Sequence, residues 1–419
     1  MILLQLTWQS LWNRRVSLLL TVFSIAISIA LLLGVDYLRK ETKRSFLNTV
    51  SGTDLVVGAR SGSIQLLLYS VFRIGNPTNN IDWASYEQFS QHRLVKWTVP
   101  LSLGDSHKGF RVLGTNTDYF KYYQYADKQA LQLASGKVFA GVYDAVLGAQ
   151  VAKQLGYQLN DEIVIAHGGG ETSFTLHKDK PFRVVGILKP TGTAVDRTVH
   201  VSLESIEAIH VDYKAGAPVA GFRISAEKAA KMDLQPKVIT AFLVGLKTRA
   251  AAFKVQREIN DYRPEALSAT IPGVALAELW QALGHFERML RLITLFVLMT
   301  GLLGMLTTLL STLNERRREM AILRAIGAHP QHIFLLFMLE TLFITSLASV
   351  FAIFLLMLAV TIAQPWVMAE YGLQLSYWLP QWTDVGLLGL VSLLGLLLSL
   401  LPSWIAYRRA LQDGLTIKL

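Results

Sequence analysis

The chain has 419 residues, 52% of them hydrophobic, and a formal net charge of +10. It contains no cysteine, which excludes disulfides, thiol catalysis and cysteine-ligated zinc. The excess charge is not a nucleic-acid footprint: residues 36–285 hold 29 Lys and Arg against 23 Asp and Glu, with no basic stripe interleaved with aromatics.

Taken in chain order, residues 1–36 read as an interfacial helix followed by a first membrane span. Gln5, Gln9 and Asn13 recur at four-residue spacing opposite Leu3, Leu4, Leu11 and the tryptophans Trp8 and Trp12. That pattern suits a helix lying in the inner interface, or simply the first turns of the span. The apolar run Val16–Val35 is about 20 residues, longer than a signal-peptide core, and Asp36-Tyr37-Leu38-Arg39-Lys40 follows it without an A-x-A site, so the span is expected to be retained.

Residues 37–285 read as a mixed α/β domain. Tyr37–Val50 lacks Gly and Pro and is expected to continue the first span as a helix, while Val274–Arg291 leads as a helix into the second. Between them the periodicity predicts a helix at Trp83–Gln91 and strands at Val95–Leu103 and Gly109–Gly114. It predicts a matching unit late in the domain: strand Val238–Leu246, helix Arg249–Tyr262, strand Leu267–Ile271. Two such units facing each other would form an α/β sandwich. Ala145–Leu155 reads as helix, with short strands at Glu162–Ala166, Thr172–His177 and Phe182–Leu188, so about 130–230 is expected to be an inserted, β-rich subdomain. Gly58–Ile81, which carries Leu66-Leu67-Leu68-Tyr69, reads as a loop that either meets lipid or a partner or packs into the core.

Three further spans follow at 286–314, 333–363 and 385–407, separated by a segment at 315–332 and a loop at 364–384, with a tail at 408–419. Arg14 and Arg15 precede the first span, Arg316, Arg317, Arg318 and Arg324 follow the second, and Arg408, Arg409 and Lys418 follow the fourth. Placing these clusters in the cytoplasm puts both termini inside and residues 37–285 outside. Arg39, Lys40, Lys43 and Arg44 fall on the wrong side in that topology, which long translocated domains tolerate. The fold class is therefore a membrane protein of four transmembrane α-helices, with a large mixed α/β extracytoplasmic domain between the first and second.

No catalytic constellation is visible. There is no G-x-x-x-x-G-K-[ST] phosphate loop, no H-E-x-x-H and no G-x-S-x-G. His167-Gly168-Gly169-Gly170 lacks a nucleophile elbow and reads as a turn. His92, His107, His167, His177, His200 and His210 are scattered without metal-ligand spacing, so neither a metal nor a catalytic residue is assigned. The segment Glu315–Gln331 is more informative. Met320, Leu323 and Ile326 share one helical face, Gly327 suits a C-cap and Pro330 the first turn of the next helix. Such a helix either anchors the loop on the membrane or docks in a groove of a cytoplasmic partner. Glu340 lies two turns into the third span, where a carboxylate must face protein or water.

Glu315-Arg-Arg-Arg-Glu-Met-Ala-Ile-Leu-Arg-Ala-Ile-Gly-Ala328, followed by a span carrying Glu340, resembles the signature of FtsX-type permease domains. Val146–Gly156, with Asp161-Glu162 after it, and Phe182–Asp196 resemble the extracytoplasmic core of MacB-type permeases. The resemblance implies the permease subunit of an ABC transporter in the bacterial inner membrane, with the large domain periplasmic and no cofactor in this chain. ATP and Mg would be bound by a separate ATPase subunit, because the fused nucleotide-binding domain of MacB is not seen ahead of the first span. Glu315, Arg316, Arg317, Arg318, Glu319, Met320, Leu323, Arg324 and Gly327 would form the ATPase-coupling segment. A second permease copy is implied, together with membrane lipids and a periplasmic adaptor, lipoprotein or outer-membrane partner. The implied action is mechanotransmission, in which ATP hydrolysis moves the periplasmic domain to export or extract a lipoprotein, peptide or lipid-like substrate. The alternative is an FtsX-like regulator of a cell-wall hydrolase or signalling partner.

Overall fold

A computed structural model describes residues 14–126, 128–168, 175–214, 217–218, 224–315, 320, 322, 324–325, 327–371, 375–376 and 378–412. It divides into two units, one comprising 42–283 with 365–375 and the other built from 1–41, 284–364 and 376–419. Among the described residues, four helices are long and apolar enough to cross a membrane: α1 (Arg15–Thr49), α7 (Pro272–Glu315), α8 (Pro330–Tyr371) and α9 (Trp382–Gln412).

The first unit is organised by a mixed sheet of 12 strands. Its principal members are β1 (Leu55–Ala59), β2 (Val95–His107), β3 (Phe110–Thr115), β4 (Leu133–Gly136) and β5 (Asp144–Leu147). With them stand β6 (Ala166–His167), β7 (Phe182–Leu188), β8 (Thr198–Ser202), β9 (Ala241–Leu246) and β10 (Leu267–Thr270). The order across the sheet is β10-β1-β9-β2-β3-β8-β5-β7-β4, and β6 pairs with the distal part of β2. Pairing is antiparallel except for β3 with β8 and β5 with β7.

The side-chain period of two sorts the strands onto three cores. On one face Val56, Val99, Leu101, Leu113, Val146, Val185, Ala241 and Leu243 join a single core running the length of the sheet. The other face is divided. Leu55, Val57, Phe242, Val244 and Leu246 pack under helices α3 (Trp83–Ser90) and α6 (Ala252–Asn260). Val112, Ala145, Leu147, Phe182, Val184, Val199 and Val201 pack with α4 (Ala149–Leu155) and α5 (Leu203–His210). Because β1 and β9 are covered on both faces, they read as continuous apolar runs rather than as alternating strands.

The two sequence units expected to face each other instead join edge to edge. β9 pairs with β2 in the register Ala241↔Leu101 to Leu246↔Val95, which makes one sheet of both. Ala145–Leu155 is not one helix: Asp144–Leu147 is a strand, and the helix begins only at Ala149. Gly148 makes the break. A Cβ there would stand 2.2 Å from the carbonyl oxygen of Val195, while its own N–H donates to the Thr198 carbonyl at 2.9 Å. The Leu66–Tyr69 stretch lies on a helix, α2 (Ser63–Ser70), with Leu66, Leu67 and Tyr69 buried in the common core. That excludes the lipid-facing loop for those three side chains.

In the second unit the apolar residues mostly point outward. Val16, Leu20, Phe296, Val350, Ile362 and Leu397 are exposed, as lipid-facing positions must be. Small residues make the close contacts between helices: Gly301 of α7 meets Ser28 of α1, and Gly395 of α9 meets Thr345 of α8. Arg39 and Lys40, misplaced by simple charge counting, are compensated. Arg39 reaches Asp36 at 3.4 Å and Glu287 at 3.2 Å, and Lys40 reaches Asp36 at 2.7 Å and Asp384 at 3.8 Å.

Candidate functional site

Two places carry chemistry that the scaffold alone does not require. The first is the segment between α7 and α8. Of its expected coupling residues, Arg316, Arg317, Arg318, Glu319 and Leu323 lie outside the described residues, and Glu315 is described only as the last residue of α7. Met320 is buried in a cluster with Leu313, Ile333, Phe337 and Ala406, which pins the segment to α7, α8 and α9. Gly327 has φ of 99° and donates its N–H to the Arg324 carbonyl at 3.0 Å. Past the turn, the His329 N–H donates to Nδ1 of His332 at 3.0 Å, satisfying an otherwise orphaned donor at the start of α8. Arg324 points a buried Nη1 that has no hydrogen-bond partner among the described residues. Glu340, farther along α8, is buried and engaged with a neighbour.

The second place lies in the sheet unit, at the distal end of β2. β6 sits antiparallel there, with His167 directly opposite Asp105. The last residue of α5, His210, reaches the same point. Nδ1 of His167 stands 3.1 Å from Oδ1 of Asp105 and 3.1 Å from Nε2 of His210. Asp105 is buried, and its hydrogen bond to His167 lifts the pKa of that imidazole above the ordinary range. The rings of His177 and Tyr213 close the cluster at 5.2 and 5.5 Å from His210. Burial, reinforced by His210, pushes His177 down to about 4, so it is neutral at physiological pH. Below the cluster a fully buried Lys180 pairs with Asp212 at 2.6 Å. The sequence concealed this grouping because Asp105, His167 and His210 are 62 and 43 residues apart. Only the β2–β6 register and the length of α5 bring them together.

The segments that carried the MacB-type resemblance are structural. Asp196 is buried and accepts from the backbone N–H groups of Thr191 and Gly192 and from the Thr191 hydroxyl, all at 2.8 Å. It thereby fixes the loop that presses on Gly148. Burial raises its pKa, and these donors offset part of that rise.

This architecture, a mixed α/β domain held between the first and second of four membrane helices, is that of a membrane transport subunit. Residues 18–262 match the MacB-like periplasmic core domain, and residues 291–415 match the FtsX-like permease C-terminal domain. The chain belongs to the MacB/FtsX-type permeases of ABC transporters, a family of transmembrane subunits that work with an ATP-binding partner. The lipoprotein-releasing system transmembrane protein LolC of Neisseria meningitidis is 22% identical over 344 residues, covering 74% of this chain and 77% of that protein. Among solved structures, the periplasmic region of MacB from Actinobacillus actinomycetemcomitans matches at 11% identity with a TM-score of 0.33, covering 56% of this chain and 94% of that one. The extracellular domain of the transporter YknZ from Gram-positive bacteria matches at 13% identity with a TM-score of 0.30, over 52% and 98% respectively.

Proposed function

We propose that this permease couples ATP hydrolysis by a separate cytoplasmic ATPase to movement of its periplasmic domain, and that its substrate is a lipoprotein or similarly lipid-anchored molecule. Both termini are cytoplasmic in this reading, and two copies of the chain form the membrane part. The observation that carries it is the 315–327 segment. It sits between two membrane helices within the FtsX-like match, is anchored by Met320, and carries Arg324, whose buried Nη1 has no hydrogen-bond partner among the described residues. The paired state of Arg39 and Lys40 supports the topology, because these two basic groups of α1 are neutralised by carboxylates of the same unit. The lipoprotein substrate rests on the likeness to LolC.

The test is coupling in the complex of the full chain with its ATPase subunit. Arg324→Glu and Gly327→Pro should each leave the protein inserted and reduce coupling of ATP hydrolysis to substrate release at least about ten-fold. The proline cannot adopt the positive φ and removes the N–H that closes the turn. Wild-type coupling in both variants would sink the assignment of the segment. Co-purification with a cell-wall hydrolase, without lipoprotein release, would replace transport by the regulatory reading.

A further inference from the structure

We infer that Asp105, His167 and His210 form a binding site for a divalent transition-metal ion of the zinc class on the extracytoplasmic domain. The argument begins with proton bookkeeping. Nδ1 of His210 lies 2.7 Å from the Ile206 carbonyl, which can only accept, so Nδ1 carries the proton and Nε2 presents a lone pair. That lone pair faces Oδ1 of Asp105 at 3.7 Å and Nδ1 of His167 at 3.1 Å. Two acceptors therefore converge on a single ring nitrogen of His167, which holds one proton and can satisfy only one of them well. A cation satisfies all three donor atoms at once, with His167 keeping its proton on Nε2 at the solvent side.

The distances fit such an ion. A triangle with sides 3.1, 3.1 and 3.7 Å has a circumradius of about 1.9 Å. An ion at the usual Zn–N and Zn–O lengths of about 2.0–2.2 Å would thus sit slightly out of the plane of the three donors. One face is then left for a fourth ligand, the arrangement of open rather than closed zinc sites. The surroundings have the features of a metal's second shell. The Ile206 carbonyl orients His210, the β2–β6 register orients Asp105 and His167, and Tyr213 packs against the histidine rings. His177 is 1% exposed, and its Nε2, a further polar atom beside the site, has no hydrogen-bond partner among the described residues. Two imidazoles and one carboxylate favour Zn2+, Co2+, Ni2+ or Cu2+ over Mg2+ and Ca2+, which prefer shells of oxygen. Entry is open, since 40% of the His167 side chain is exposed.

The test uses the full chain in detergent, stripped of metal by a chelator. Zn2+ titrated against a chromophoric chelator should bind one ion per chain, and Co2+ should give the d–d bands of a low-coordinate site, undisturbed by excess Mg2+. His167→Ala, at an exposed side chain, and His210→Gln should each weaken Zn2+ binding at least about ten-fold. His92→Ala should not, because His92 pairs with Glu258 elsewhere in the domain. A thermal melt of each variant separates loss of the site from loss of the fold, and Zn2+ should raise the melting temperature of wild type but not of His167→Ala. No retention of Zn2+ by wild type beyond the detergent blank, or equal affinity in wild type and His167→Ala, would overturn the site.

Discussion

The two units turn their apolar side chains in opposite directions. In the sheet unit, Val56 and Leu243 turn to one core while Val57 and Val244 turn to another, and large apolar side chains left outside, such as Phe253, are few among the described residues. In the helical unit, Leu20, Phe296 and Leu397 are displayed outward and close contacts fall to Ser28, Gly301, Thr345 and Gly395. The same glycine is therefore a different object in each. Gly148 is pressed between a strand end and a carbonyl, whereas Gly304 has no heavy atom within 4 Å of a built Cβ. Hydrophobicity reports burial in the first unit and lipid in the second, so polar and small residues mark the interior of a membrane bundle.

The largest effect should come from exchanging those two glycines. Gly148→Val places side-chain atoms on the Val195 and Asp196 carbonyls and should cost more than about 4 kcal/mol, enough to prevent the domain from folding. Gly304→Val should insert and melt like wild type. Comparable loss in both, read from yield and thermal unfolding, would erase the contrast.

Next is the buried pair. Lys180→Met leaves Asp212 uncompensated and should destabilise by about 3–5 kcal/mol, whereas Lys180→Met with Asp212→Leu should recover most of that loss. If the double variant were no better than the single one, the pair would be contributing net attraction rather than mutual compensation.

What could be read from the sequence follows from the same division. Membrane helices are local objects, and an unbroken apolar run with flanking arginines announces them. In the sheet unit, Phe182–Leu188 and Val238–Leu246 were legible from their own composition, although Thr240 splits the latter and binds Leu103 across to β2. Thr198–Ser202 was not, because it carries His200 and Ser202, both buried. His200 donates through Nδ1 to the Val146 carbonyl at 3.2 Å and leans on Tyr119 and Phe120, a setting no single-sequence pattern encodes. The Asp105–His167–His210 cluster was invisible for the same reason, being the product of one register and one helix end. A coupling role for the 315–327 segment is a proposal that resemblance alone suggests, since a short amphipathic helix beside a membrane has two physical meanings.

His200 gives the third prediction. Burial, with Arg73 nearby, holds its pKa at about 3, well below the unfolded value near 6.5. The folded state therefore binds fewer protons than the unfolded one between those values. Its contribution is complete above pH 6.5 and is lost as pH falls toward 3. Between pH 6.5 and 5 this single group should remove about 1–2 kcal/mol, and His200→Gln should flatten that part of the profile. An unchanged slope in the variant would assign the acid sensitivity to other groups.

The smallest effects separate the two kinds of surface pair. Arg257 on α6 and Asp261 just past its end stand 3.5 Å apart, both largely in solvent, so Arg257→Ala should change stability by less than about 0.5 kcal/mol. Arg39 is only one-third exposed and is shared between Asp36 and Glu287, on α1 and α7. Arg39→Ala removes the group that bridges Asp36 and Glu287 and should cost about 1 kcal/mol, more at low salt. The pair that matters also ties two helices together, so its loss should loosen α1 against α7, measurable as faster hydrogen exchange around 36–41 and 284–290. If exchange there matched wild type while Arg257→Ala produced the larger shift, the charges around Arg39 would be mere solvation, and their support for the proposed topology would fall with them.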